Sequence, residues 1–119
     1  MMYIEYMDLV YFELSSGRRL VEQELLSLDR DSRAKVFSHL DLLSEFGGQL
    51  REPHVKSLGG DLKELRTPIR PGQHRIMYYV EDGGIGVLLH SILKKTQKTP
   101  DKELTIARSR MADWKRRKL

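Results

Sequence analysis

The stretch DLKELRTPIRPGQHRIMYYVEDGGIGVLLHSILK (61–94) decides the fold. It contains three runs, DLKELRT (61–67), HRIMYYVE (74–81) and IGVLLHSILK (85–94), separated by turn formers. Pro68, Pro71 and Gly72 make the first break and Asp82-Gly83-Gly84 the second. Aromatic and β-branched runs bounded by Pro, Gly and Asp predict strands, and breaks this short predict antiparallel neighbours. The third run is the most apolar and is therefore expected inside the sheet.

Working outward, YIEYMDLVYFE (3–13) predicts another strand, which Ser15-Ser16-Gly17 interrupts. Residues 18–47 predict two helices. Leu20, Val21, Glu24, Leu25 and Leu28 belong to a short one, and Asp29 or Asp31 can cap the second. In the second, Ala34, Phe37, Leu40, Leu43 and Phe46 fall at three- and four-residue steps, an amphipathic stripe that Gly47-Gly48 would close. Two successive helices also open the helix-turn-helix DNA readers, but the acidic polar face of this pair would repel phosphate. Residues 49–61 read as a loop. After KKTQKT (94–99), Thr99 as N-cap and Pro100 as first residue predict a last helix. Its apolar stripe is Leu104, Ala107, Met111 and Trp114. The order β-α-α-β-β-β-α predicts an α+β, two-layer single domain (1–119), with helices packed on one face of a mostly antiparallel sheet. The other face is then left for a ligand.

The chain has 119 residues and no cysteine, so disulfide frameworks, Cys-based zinc sites and thiol chemistry are excluded. The longest uncharged apolar run, IGVLLHSIL (85–93), is half of what a membrane helix needs, and the first residues lack a basic region before an apolar one. The expectation is a cytoplasmic protein with no membrane contact. The net charge of +4 hides an asymmetry: residues 1–50 carry 5 Lys/Arg against 9 Asp/Glu, and residues 51–119 carry 16 against 8. A basic face built from the second part would suit a phosphate-rich partner.

LKELR (62–66), the Gly72 and Arg75 of GQHRIMYYV, and LLHSILKKTQKTP (88–100) resemble the RelE/ParE toxin superfamily, with the phage-derived HigB-like branch the nearest in pattern. The likeness spans about residues 58–112. It implies the toxin of a type II toxin–antitoxin pair: a ribosome-dependent mRNA endonuclease that needs no metal or other cofactor and blocks translation. Its partners would be the ribosome, mRNA and a cognate helix-turn-helix antitoxin. A minority of the superfamily instead inhibit DNA gyrase, and a non-enzymatic RNA-binding module is a third reading.

Metal-free RNA cleavage uses the ribose 2′-OH as nucleophile. It needs a base for the 2′ proton, cations to stabilise the phosphorane and an acid for the leaving 5′ oxygen. Arg66 and Arg75 flank the Pro–Gly turn, and both are expected to reach one phosphate with their forked guanidiniums. The alternative for Arg75 is an ion pair with Glu64 or Glu81. Lys94, Lys95 and Lys98 form a cluster in which like-charge repulsion favours a neutral amine, suited to proton transfer; a solvated basic loop is the alternative. His74, at a strand entry, could stack on a base or carry a proton. Glu64 amid arginines stays ionised and is expected to orient them. Lys63, Arg70, Lys102 and Arg108 are read as phosphate contacts, with Arg110 and Lys115 extending the basic flank. His90 reads as a satisfied core residue, Tyr78 and Tyr79 as sheet core, and Trp114 as packing. No cluster of acids or histidines has metal-ligand spacing. The whole reading expects several guanidinium and ammonium groups on one exposed patch.

Overall fold

The computed structural model describes residues 7–81, 84–94 and 98–117. Five strands form one sheet: β1 (Asp8–Tyr11), β2 (Val55–Gly59), β3 (Leu62–Ile69), β4 (Gly72–Glu81) and β5 (Ile85–Lys94). The spatial order is β1-β5-β4-β3-β2, antiparallel throughout except for β1, which runs parallel to β5. Helices α1 (Leu20–Leu26) and α2 (Arg30–Phe46) lie between β1 and β2, and α3 (Asp101–Arg117) follows β5. The α+β class and the mostly antiparallel sheet with α1 and α2 together on one face are as the sequence predicts; α3 packs on the opposite face, the one expected to be left for a ligand.

Helix α2 starts where expected. The Asp29 carboxylate accepts from the Ser32 backbone N–H, satisfying one of the orphan donors of the first turn. It ends at Gly47, whose φ of +51° is available to glycine without a Cβ penalty. Helices α1 and α2 bury Val21, Leu25, Val36, Leu40 and Leu43 against Leu65, Ile69, Ile76, Tyr78 and Leu88 of the sheet. The alternate strand residues Leu62, Met77, Tyr79, Val87 and Leu89 form a second cluster, with Phe12. Ala107, Leu104, Met111 and Trp114 of α3 pack on that cluster, the stripe read from the sequence. Strand β4 is consequently buried without interruption from His74 to Tyr79, as a strand covered on both faces must be.

Two expectations are corrected. The segment read as a loop at 49–61 contains β2, which adds to β3 through a tight turn that follows Gly59 (φ +102°) and includes Gly60 (φ +57°). Gly59 still pairs with Leu62, so Gly60 and Asp61 form the turn, and both glycines take a positive φ that a Cβ would resist. Thr99 does not cap α3: the Pro100 carbonyl accepts from the Glu103 and Leu104 N–H groups, and the Thr99 hydroxyl turns inward to Glu64. The hairpin read at Asp82-Gly83-Gly84 joins β4 to β5 as expected, with Glu81 paired to Ile85, though Asp82 and Gly83 themselves, like the residues of the first strand before Met7, lie outside the described residues. No helix among the described residues is long and apolar enough to cross a membrane.

Candidate functional site

Strand alternation sorts the candidates by face. Arg66 and Arg75 are cross-strand partners on β3 and β4, and Glu64 stands two residues before Arg66. These three share the sheet face on which α3 packs, beyond the N-terminal end of that helix. Glu64 and Arg75 are fully buried, and the Arg66 side chain is 14% exposed.

One carboxylate organises the group. Arg66 Nε donates to Glu64 Oε1 at 2.8 Å, and Thr99 Oγ1 donates to Glu64 Oε2 at 2.6 Å. Arg75 Nε lies 3.8 Å from Glu64 Oε1, its Nη1 donates to Thr99 Oγ1 at 2.8 Å, and its Nη2 donates to Gln73 Oε1 at 3.2 Å. Burial pushes the Arg75 guanidinium below its ordinary range; the Glu64 charge opposes that shift and the Arg66 charge adds to it. Two guanidiniums against one carboxylate leave one positive charge in the group. Glu64 is shared between the two, 2.8 Å from Arg66 and 3.8 Å from Arg75, so the Arg66 charge is only partly cancelled toward solvent.

Above this network lies an open groove of about 300 Å³, lined by Lys56, Leu58, Arg66, Lys98, Thr99 and Leu104. Lys56 belongs to β2, directly opposite Glu64 in register. The groove therefore gathers one cation from each of three places, namely an edge strand, the neighbouring strand and the connector before α3. Leu58 and Leu104 give it apolar walls.

The structure brings together Arg66, Glu64 and Lys98 of the residues chosen from sequence. Lys95 lies outside the described residues. Arg75 requires a correction: it shares the face but is buried against Glu64, the ion-pair alternative, so it supports the groove from beneath and does not touch a ligand in it. His74 is not brought to this face. It is fully buried under α1, where its Nε2 bonds Glu24 Oε1 at 2.8 Å, and Ser91 donates to the same oxygen at 2.7 Å. Lys63 alternates with Glu64 and Arg66 and so belongs to the opposite face. Lys94 closes β5 opposite Gln73, Arg70 sits exposed at the hairpin turn and Lys102 on the first turn of α3, none of them lining the groove. Arg108 is spent on structure, donating to the Leu58 carbonyl at 2.7 Å and so tying α3 to the end of β2. Arg110 donates to the Leu89 carbonyl at 2.8 Å, and Lys115 pairs with Asp61. His90 is satisfied as expected, by Glu103 at 2.5 Å and by Arg110. Trp114 packs on Phe12 and donates to Glu81. Among the described residues no three His, Asp or Glu side chains gather as a metal site would require.

Sequence reasoning missed Lys56 and Thr99. Lys56 sits in the segment read as a loop, and Thr99 had been assigned to the helix cap. A cation three residues before Gly59-Gly60 carries no signal until that glycine pair is recognised as a hairpin turn.

Comparison with known families places the groove in context. The family described as phage-derived protein Gp49-like (DUF891) matches residues 23–112, about three quarters of the chain. The chain belongs to this family. The match in this Gp49-like protein runs from within α1 to within α3 and includes every residue lining the groove. The Gp49-like family is associated with RelE-like and toxin-like proteins. Among curated proteins no match was found.

Proposed function

We propose that this Gp49-like protein is a toxin that seats an RNA phosphodiester in the Lys56–Arg66–Lys98 groove and cleaves it by 2′-OH attack, halting translation. The carrying observation is the convergence of three cations over a buried carboxylate network that holds one of them in a fixed orientation. In this reading Arg66 faces the non-bridging oxygens with its two terminal nitrogens, its Nε being held by Glu64, and stabilises the charge that develops on phosphorus. Lys56 and Lys98 flank the phosphate and are the candidates for proton transfer at the 2′ and 5′ oxygens. Attack by the substrate's own 2′-OH restricts the reaction to RNA. The partners proposed are mRNA on the ribosome and a small antitoxin, whose reading frame is expected beside the gene.

A specific observation favours a second reading, an RNA-binding protein without chemistry: Arg75 is buried, and Arg66 shares its charge with Glu64. The two readings separate in one assay. The purified protein is incubated with end-labelled mRNA, with and without ribosomes, beside a folded Arg66→Ala variant. Cleavage leaving 2′,3′-cyclic phosphate ends, reduced about 10²- to 10³-fold by Arg66→Ala, is the expected result. Intact RNA, bound with an affinity that falls steeply with salt, would leave only the binding reading. No binding at low salt would end both.

A further inference from the structure

Thr99 occupies a position that its place before a helix does not explain. It is 5% exposed, it lines the groove, and it directly follows the exposed Lys98. Its hydroxyl has a single hydrogen to give. Arg75 can only donate, so the Thr99 oxygen accepts from Arg75 Nη1 and its hydrogen goes to Glu64 Oε2. Glu64 in turn accepts from Arg66 Nε on its other oxygen. The hydrogen-bond chain thus runs in a defined sense from Arg75 through Thr99 to Glu64, where it meets Arg66. The two carboxylate oxygens are divided between a strand residue and a connector residue.

We propose that Thr99 is the positioning residue of the groove: it fixes the Glu64 carboxylate that aims Arg66, and the same bond fastens the connector so that Lys98 stands over the same ligand. The geometry suits the role. A hydroxyl on a β-branched side chain has little rotamer freedom, so a bond made through it transmits position to the backbone. Lys98 and Arg66 come from segments more than thirty residues apart, and the Thr99–Glu64 bond is the polar link that sets their separation at the groove. The inference rests on the reading of the groove as a seat for an RNA phosphodiester, and it specifies which contact keeps the seat's two sides in register.

The test compares Thr99→Val, which keeps the shape and removes both bonds, with Thr99→Ser, which keeps the hydroxyl. Binding of a single-stranded RNA oligomer is measured as a function of salt, and the exchange rate of the Arg66 Nε–H is followed by NMR without RNA. Thr99→Val is expected to weaken binding about tenfold, to lower the salt slope by about one phosphate contact, and to speed Nε–H exchange about tenfold. Thr99→Ser is expected to restore all three to within about threefold. A residue serving only stability would shift the unfolding midpoint and leave slope and exchange unchanged, and that result would overturn the proposal. If Thr99→Val does not fold, Thr99→Ala against Thr99→Ser decides on the same readouts. Absence of RNA binding by the unsubstituted protein would refute the functional reading instead, and the exchange measurement still decides whether Thr99 positions Arg66.

Discussion

Replacing Glu64 by leucine tests the buried network at its centre. The substitution keeps approximate volume and leaves Arg75, fully buried, facing an apolar group where a carboxylate oxygen stood 3.8 Å from its Nε. It also removes the acceptor of the Thr99 hydroxyl and of Arg66 Nε. Arg66 reaches water and recovers most of its loss, whereas Arg75 and Thr99 cannot. Removing one partner of a buried ion pair costs about 3–5 kcal/mol. For a chain of this size that lowers Tm by roughly 10–25 °C. Glu64→Leu combined with Arg75→Leu removes both charges, and such pairs are exchangeable for apolar groups at little cost. The double variant is therefore expected to recover at least about 2 kcal/mol of the summed single losses, a coupling typical of residues in one network. Urea unfolding followed by Trp114 fluorescence and far-ultraviolet circular dichroism gives all four corners of the cycle. A Glu64→Leu variant within about 1 kcal/mol of the parent, or a double variant that loses the full sum, would refute the claim that this carboxylate compensates a buried guanidinium.

Three further outcomes are expected. Burial alone would push the Glu24 carboxyl up, but its bonds to His74 and Ser91 and the charges of His74 and His90 hold it below its ordinary value of 4.5. A carboxyl depressed in the folded state stabilises the protein above that ordinary value, and the contribution is lost as pH falls through the lower folded value. Glu24→Gln should flatten the acid limb of the stability profile, and an unchanged limb would count against the Glu24–His74 bond as an anchor of α1. A Cβ on Gly86 would stand 2.8 Å from Leu9 Cδ2 and from Met7 Sδ. Gly86→Val should accordingly cost about 1–3 kcal/mol by displacing the Met7 and Leu9 side chains that pack β1 against β5, with amide exchange rising first at residues 8–11; equal loss of protection throughout the sheet would contradict it. Burial, then the Glu81 charge and hydrogen bond, push the Tyr79 hydroxyl up to about 12. Ultraviolet titration should show Tyr79→Phe removing no phenolate signal below pH 11, and loss of a phenol titrating near 10 would disprove that environment.

Much of the architecture could be read from the residues because local signals agreed with tertiary ones. The Asp29 cap and the break at Pro71 have causes within a few residues, whereas the stripe read on α2 holds only at Leu40 and Leu43: Ala34, Phe37 and Phe46 are exposed and Val36 is buried in their place. Strand β2 was illegible because VKSLG is short, has only one fully buried residue, and stands between Pro53 and Gly60. The site was harder. Alternation assigns a face only when one face is wet, and β4 is dry on both from His74 to Tyr79. Arg75 on one face and His74 on the other therefore looked equally available. What separates them is which helix covers each face, a fact of topology that no local pattern encodes. Lys56 and Thr99 became functional candidates only through partners far away in the chain.

The parallel pairing of β1 with β5 carries a consequence for biogenesis. Asp8 pairs with Ile85 and Tyr11 with Leu88, so a strand made early by the ribosome waits through most of synthesis for its neighbour. Closing so long a loop is entropically costly, and chains rich in such distant contacts fold slowly. Thr99 emerges later still. A nascent chain therefore carries Glu64 and Arg66 for more than thirty residues before the Thr99 hydroxyl that bonds Glu64 has been made.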